Sequence, residues 1–278
     1  MKTIRQFLKT KFPVLIKIKY FIRSIILRNN LKYIELHVVD SCNLNCKACT
    51  HFANISKKNN FIDARILEHR LSRLYKLFTI ERIRLLGGEP LLHPDIINVL
   101  KTARRILSYS VIELVTNGIL LNKMSNEFFE TCNKNNIKII ISTYPVLKNK
   151  GEIERILSSF KINYEFFPMI FTFVANLNPE GNSNKEETFK NCGHNYCRIL
   201  KNDNIYICPI CAYIDKYNEY FNKNIPTGKG INIFTSSAKQ IFNYLKEPEE
   251  TCKYCTNITE YVDWSCGTPK ETDWNGKI

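Results

Sequence analysis

The stretch IELHVVDSCNLNCKACTH, residues 34–51, runs from a short β-type apolar pattern straight into three cysteines within eight residues. A closed zinc site takes four ligands, and a disulfide framework uses cysteines in pairs. Cys42, Cys46 and Cys49, spaced C-x3-C-x2-C, supply three thiols and leave one place open. A loop of this kind directly after a strand also bears on the fold. Parallel α/β barrels build their active sites in the loops that follow their strands.

Outward from this stretch the pattern repeats. RIRLL (82–86), VIELVT (111–116) and IKIIIS (137–142) are β-rich, with YEFFP (164–168) and FTFVAN (171–176) as less regular members. Residues 63–79, 94–108, 123–135 and 151–160 carry helical spacing between them. Strands alternating with helices predict βα units and a parallel sheet, an α/β fold. Pro94 with Asp95 reads as a helix start, proline in the first position and a carboxylate near the positive end of the dipole.

Polar groups recur after successive strands. Gly87-Gly88-Glu89-Pro90 follows the second, where two glycines permit close backbone approach and Glu89 can accept from an ammonium group. Thr116-Asn117-Gly118 follows the third, and Ser142-Thr143 closes the fourth. Three thiolates can hold three irons of a 4Fe-4S cluster and leave the fourth iron to an outside ligand, the vacancy the triad presents. Zinc with a distant fourth ligand has the same local signature.

CNLNCKAC, GGEPLLHP and TNG in this order resemble the radical S-adenosylmethionine superfamily over roughly residues 34–180. The resemblance implies a partial (β/α)6 TIM-like barrel in which Cys42, Cys46 and Cys49 bind a 4Fe-4S cluster. Gly87, Gly88 and Glu89 would meet the methionyl group of S-adenosylmethionine (AdoMet), and Asn117 and Ser142 would contact the rest of that cofactor. It further implies reductive cleavage of AdoMet to a 5'-deoxyadenosyl radical that abstracts a substrate hydrogen, and a reductant such as flavodoxin or ferredoxin. One departure stands out: many members carry an aromatic residue just before the third cysteine, and here it is Ala48. Phe52 is the candidate to pack in its place. His51 is a candidate donor beside the cluster, His93 reads as a residue of the helix start, and Cys132 as a small buried hydrophobe.

After about residue 180 the organisation changes. NPEGNSNKEE is polar and turn-rich, and seven of the 11 cysteines lie beyond it. Cys192, Cys208, Cys252 and Cys255 give the framework C-x15-C-x43-C-x2-C, which resembles the twitch domain, a shortened SPASM-like module holding an auxiliary 4Fe-4S cluster. Cys197 is an alternative to Cys192, Cys211 to Cys208, and a zinc knuckle would use the same thiols. In KNDNIYIC, Asp203-Asn204 stand where relatives commonly carry a glycine, and both tolerate a left-handed turn. The chain thus divides into an arm (1–33), a core (34–180) and a cysteine-rich domain (181–278).

Composition sets the remaining bounds. A chain of 278 residues, 44% hydrophobic, can bury a sizeable core. No signal-peptide pattern is evident, which points to the cytoplasm, where cysteines stay reduced and serve metals. The formal charge is +14, yet residues 1–32 hold nine Lys/Arg and no acid. Val14, Leu15, Ile18, Phe21, Ile22 and Ile25 fall on one helical face flanked by basic residues. Such an arm suits an anionic membrane surface, here the inner membrane face, or a docking place on its own domain or a partner. No recognition motif for nucleic acid accompanies the charge.

The reaction expected is oxidation or epimerisation of a carbohydrate or nucleotide-sugar. An auxiliary cluster can take up the electron left after hydrogen abstraction, whereas a spare thiol can return a hydrogen atom. Cys197, Cys211 and Cys266 are the candidate hydrogen donors. A peptide maturase and a non-catalytic iron-sulfur or zinc scaffold are the alternatives.

Overall fold

The computed structural model describes residues 29–56 and 60–276, so residues 1–28 of the basic arm lie outside the described residues, while its last residues from Asn30 already belong to the first strand and not to the arm expected to reach residue 33. Ten strands and seven α-helices follow one another in this region. The first, β1 (Asn30–Val39), lies beside β2 (Thr79–Gly87), which continues to β3 (Val111–Thr116), β4 (Ile137–Ile141) and β5 (Tyr164–Phe166), every neighbouring pair parallel. Ile34, Leu36 and Val38 of β1 are buried on one face and Glu35 on the other, as in a strand covered on both sides.

The helices are held by local chemistry as well as by their apolar faces. The helix α1 (Ala64–Leu77) is capped by Asp63, whose side chain accepts from Arg65 N, and it buries Leu67, Leu71 and Leu74 completely. Side chains of this kind each contribute about 1.5–3 kcal/mol on burial, enough to hold a 14-residue helix that would fray alone. In α2 (Ile96–Ile106) the cap position is Asp95, with no side-chain cap bond, and Pro94 precedes it, so the proline stands two places before the first helical position that the sequence pattern assigns to it. Ser125 caps α3 (Asn126–Lys134), and α4 (Lys150–Ser159) follows. His93 occupies the turn before α2, where its Nδ1 accepts from Asp95 N. Cys132 is fully buried in α3, and burial pushes its thiol up to about 12.

The sixth parallel strand is not the one expected. β6 (Thr172–Leu177) leaves the main sheet and pairs antiparallel with β10 (Cys255–Asp263). The place beside β1 is taken by β7 (Ile199–Lys201), reached through α5 (Lys185–Asn191). A hairpin then adds β8 (Asn204–Tyr206), and β9 (Ile231–Asn232) ends the sheet, both antiparallel, giving the order β5-β4-β3-β2-β1-β7-β8-β9. The left-handed residue of the hairpin is Asn202 (φ 52°), ahead of Asp203-Asn204. A mixed sheet of this kind, with its parallel strands backed by helices, is a partial TIM-like barrel. Two more helices complete the chain, α6 (Pro209–Phe221) and α7 (Ala238–Tyr244). The hydrophobic core runs without a break from Leu31 to Trp274, across residue 180.

Candidate active site

Parallel pairing puts the ends of β1 to β4 side by side, with Val39 opposite Gly87 and Thr116 opposite Ile141. The loops that follow them therefore meet. A cavity of about 210 Å³ opens there, lined by Cys42, Cys46, Cys49, Gly87, Gly88, Asn117 and Ser142. All three thiols of the triad thus converge on the backbone of the glycine pair and on the polar ends of β3 and β4.

The glycines are needed because two loops touch. A Cβ on Gly88 would lie 1.9 Å from Ser41 O, and one on Gly87, at φ +152°, 2.1 Å from Val39 O. The contact is sewn by Gly88 N to Val39 O (3.0 Å) and Glu89 N to Ser41 O (2.9 Å). The carboxyl of Glu89, expected from the sequence to meet the cofactor, has protein partners. It is fully buried behind the cavity, where Oε1 accepts from Leu91 N (3.0 Å) and Thr116 Oγ1 (2.6 Å), and Oε2 from Asn117 N (2.8 Å). Burial pushes its carboxyl up to about 7 against the pull of these donors. Glu89 therefore fixes the Thr116-Asn117-Gly118 loop on the glycine pair. Asn117 in turn donates to Asn43 Oδ1 (2.7 Å), inside the triad loop.

Cys42 and Cys46 sit in a setting that disfavours free thiolates. Desolvation raises Cys42 to about 12 and raises Cys46 as well. Cys42 Sγ accepts from Leu44 N (3.4 Å) and Cys46 Sγ from the indole of Trp264 (3.3 Å). Buried sulfur anions of this kind need a bound cation, and coordination to metal supplies it. Three thiols without a fourth protein ligand fit a 4Fe-4S cluster with one open iron.

Ala48 is buried with φ 54°, and Phe52 does not fill the aromatic place: it is fully buried, stacked on Trp274 at 5.7 Å, away from the cavity. The aromatic wall comes from Tyr144 and Phe173. Tyr144 is stacked on Trp264, with centroids 5.2 Å apart. His51 lines the cavity with Nδ1 2.7 Å from His37 Nε2, and burial holds both rings below the usual imidazole range.

The sequence reading passed over the charged residues inside apolar strands. Glu35, Arg84, Glu113 and Lys138 are in register across β1 to β4. Arg84 Nε donates to Glu113 Oε2 (2.7 Å), while Glu35 takes the Tyr33 hydroxyl on Oε1 and has no partner for its buried Oε2. Glu35 and Arg84 both line the cavity and give it a polar floor. The signal was present as ionisable residues in the strands IELHVV and RIRLL.

A second cavity of about 60 Å³ lies in the C-terminal region, lined by Cys192, Cys208, Cys211, Cys252 and Cys255. Cys208 caps α6 and accepts from Cys211 N (3.4 Å), at the N-terminal end of a 13-residue helix. Cys192 Sγ accepts from His194 N (3.3 Å). A hydrogen bond from Cys211 lowers Cys252, while hydrogen bonding to Cys208 first and Cys252 second, together with burial, raises Cys211. Cys197 and Cys266 are outside this cavity, and none of Cys197, Cys211 and Cys266 lines the first one. Among the described residues, no three His, Cys, Asp or Glu side chains converge tightly enough to hold a single ion.

Residues 36–157 match the profile of the radical SAM superfamily. This chain carries a radical SAM domain. The family works with a 4Fe-4S cluster and AdoMet, the groups the triad cavity fits. The GTP 3',8-cyclase of Trichodesmium erythraeum (strain IMS101) is 28% identical over 106 residues, 37% of this chain and 32% of that protein. The GTP 3',8-cyclase of Petrotoga mobilis (strain DSM 10674 / SJ95) is 25% identical over 143 residues, 49% and 44% of the two chains. The chain thus spans less than half the length of these curated relatives. Among solved structures, BtrN in complex with AdoMet and 2-DOIA superposes with a TM-score of 0.51 at 18% identity, over 82% of this chain and 94% of that one. That likeness is one of fold.

Proposed function

We propose that this radical SAM enzyme oxidises a small hydroxylated substrate, a carbohydrate, aminocyclitol or nucleotide-sugar, with a second 4Fe-4S cluster in a twitch-like C-terminal module. The observation that carries the reading is the first cavity itself, where the triad thiols, the glycine pair and the Glu35–Arg84 floor face one space. Cys42, Cys46 and Cys49 hold the cluster, and the backbone of Gly87 and Gly88, with Asn117 and Ser142, receives AdoMet. When bound, these groups supply the radical that takes a hydrogen from the substrate.

The chain's own residues do the aiming. Glu89 sets the Asn117 loop, Tyr144 and Phe173 wall the cavity against water, and Glu35 and Arg84 present an acceptor beside a donor to a hydroxyl or amino group. Cys192, Cys208, Cys252 and Cys255 hold the second cluster, with Cys211 packed beside Cys208. Oxidation is favoured over epimerisation because no candidate hydrogen-donor cysteine lines the first cavity. BtrN, bound to AdoMet and 2-DOIA, and the GTP 3',8-cyclases act with small molecules, which supports a substrate of that size.

The test is a panel of aminocyclitols, nucleotide-sugars and short peptides offered to reduced enzyme in D2O. The expected product is two hydrogens lighter than its parent. An isomer of unchanged oxidation level carrying one solvent deuterium would replace oxidation by epimerisation.

A further inference from the structure

We infer that Trp264 sets the reduction potential of the cluster held by Cys42, Cys46 and Cys49, through its indole N–H on Cys46 Sγ. The inference rests on the triad reading above and adds to it a residue 218 positions away in sequence.

An indole nitrogen can only donate, and at 3.3 Å with sulfur as acceptor the bond to Cys46 is well formed. A ligating thiolate carries negative charge, and the charge on it rises when the cluster takes an electron. The bond is therefore worth more in the reduced state and raises the potential, since hydrogen bonds to the sulfurs are among the levers that place such clusters on their scale.

The donor is held in place from several sides. Trp264 N donates to Phe171 O (2.7 Å), and its ring is stacked on Tyr144 at 5.2 Å with 20° between planes. The next residues are laced to the triad loop itself: Lys47 N to Ser265 O (2.9 Å), Gly267 N to Asn45 O (3.1 Å), and a bridge between Cys46 and Cys266. Trp264 follows directly on β10, whose first residue is Cys255 at the second cavity. One strand thus runs from the second cysteine site to the indole on the first. Trp274 makes a contrasting contact, donating to the backbone carbonyl of Cys49 (3.0 Å), with no sulfur involved.

The test is an EPR-monitored redox titration of the anaerobically reconstituted full chain, following the cluster signal that added AdoMet perturbs. Trp264→Phe keeps an aromatic ring against Tyr144 and loses the N–H. At a fixed poise its reduced-to-oxidised ratio should fall about tenfold, ~59 mV for a one-electron couple. Trp274→Phe should leave the potential where it is. A Trp264→Phe protein with full iron and wild-type potential would overturn the inference. A measurement on the unsubstituted protein guards against a variant that fails to load: with 15N-indole tryptophan, pulsed EPR of the reduced cluster should show a 15N coupling, and its absence would also overturn it. A wild-type protein with no AdoMet-sensitive signal at all would bring down the triad reading beneath it, a failure distinct from an unmoved potential.

Discussion

Glu89 joins the loops behind the first cavity. GGEP is in contact with the triad loop, but its carboxyl accepts from Leu91, Thr116 and Asn117 instead of facing the cavity. Its position makes stability depend on pH with a definite sign. An ordinary glutamate titrates near 4.5, and burial holds this one at about 7 when folded. Between those values folding takes up a proton, so the contribution is fully present below 4.5 and is lost as pH rises through 7, on the order of 3 kcal/mol in all. The amide of Glu89→Gln does not titrate, but it turns a donor toward Asn117 N and costs about 1–3 kcal/mol at low pH. Melting curves of both proteins without cofactors, at pH 5 and pH 8, check this. The wild-type advantage should shrink at the higher pH, and a constant advantage would show Glu89 ionised throughout.

At the scale of elements, the strand-and-loop repeat was legible because each long buried strand ends in a short polar signature. Gly87, Gly88, Asn117 and Ser142 were found from that pattern, and the parallel register brings them to one cavity. What escaped were elements too short or too remote to show a period. β7 has three residues, so its claim to the place beside β1 cannot be seen in alternation, while the longer β6 looks like a barrel strand and pairs with β10. Phe52 was placed by nearness in sequence, but Trp274 and Tyr217 draw it into the core. Trp264 had no local signal at all. The join between the glycine pair and the triad loop gives a sharp prediction. Gly88→Ala would put a Cβ 1.9 Å from Ser41 O, so the loops must part. We expect a loss of about 3 kcal/mol in stability, read by denaturant unfolding, and loss of AdoMet binding by equilibrium dialysis.

At the scale of the whole molecule, the cysteine-rich region is built onto the barrel sheet. β7 pairs with β1, β10 leads to Trp264, and the core is continuous from one cysteine site to the other. The framework Cys192, Cys208, Cys252 and Cys255 was legible as spacing, and these thiols do share a cavity, with Cys211 among them. Spacing could not rank Cys208 against Cys211, since a helix start places both at the same cavity. The arm at residues 1–28 lies outside the described residues, and no described helix is long and apolar enough to cross a membrane.

The central claim is that the triad holds a cluster that cleaves AdoMet, with a second cluster behind it. The most direct measurement is iron per chain, together with 5'-deoxyadenosine formed from AdoMet under a strong reductant, for anaerobically reconstituted wild type and Cys46→Ala. The account predicts about eight irons and nucleoside from the wild type, and about four irons with no nucleoside from the variant. Zinc in place of iron, or nucleoside still formed by Cys46→Ala, would contradict it.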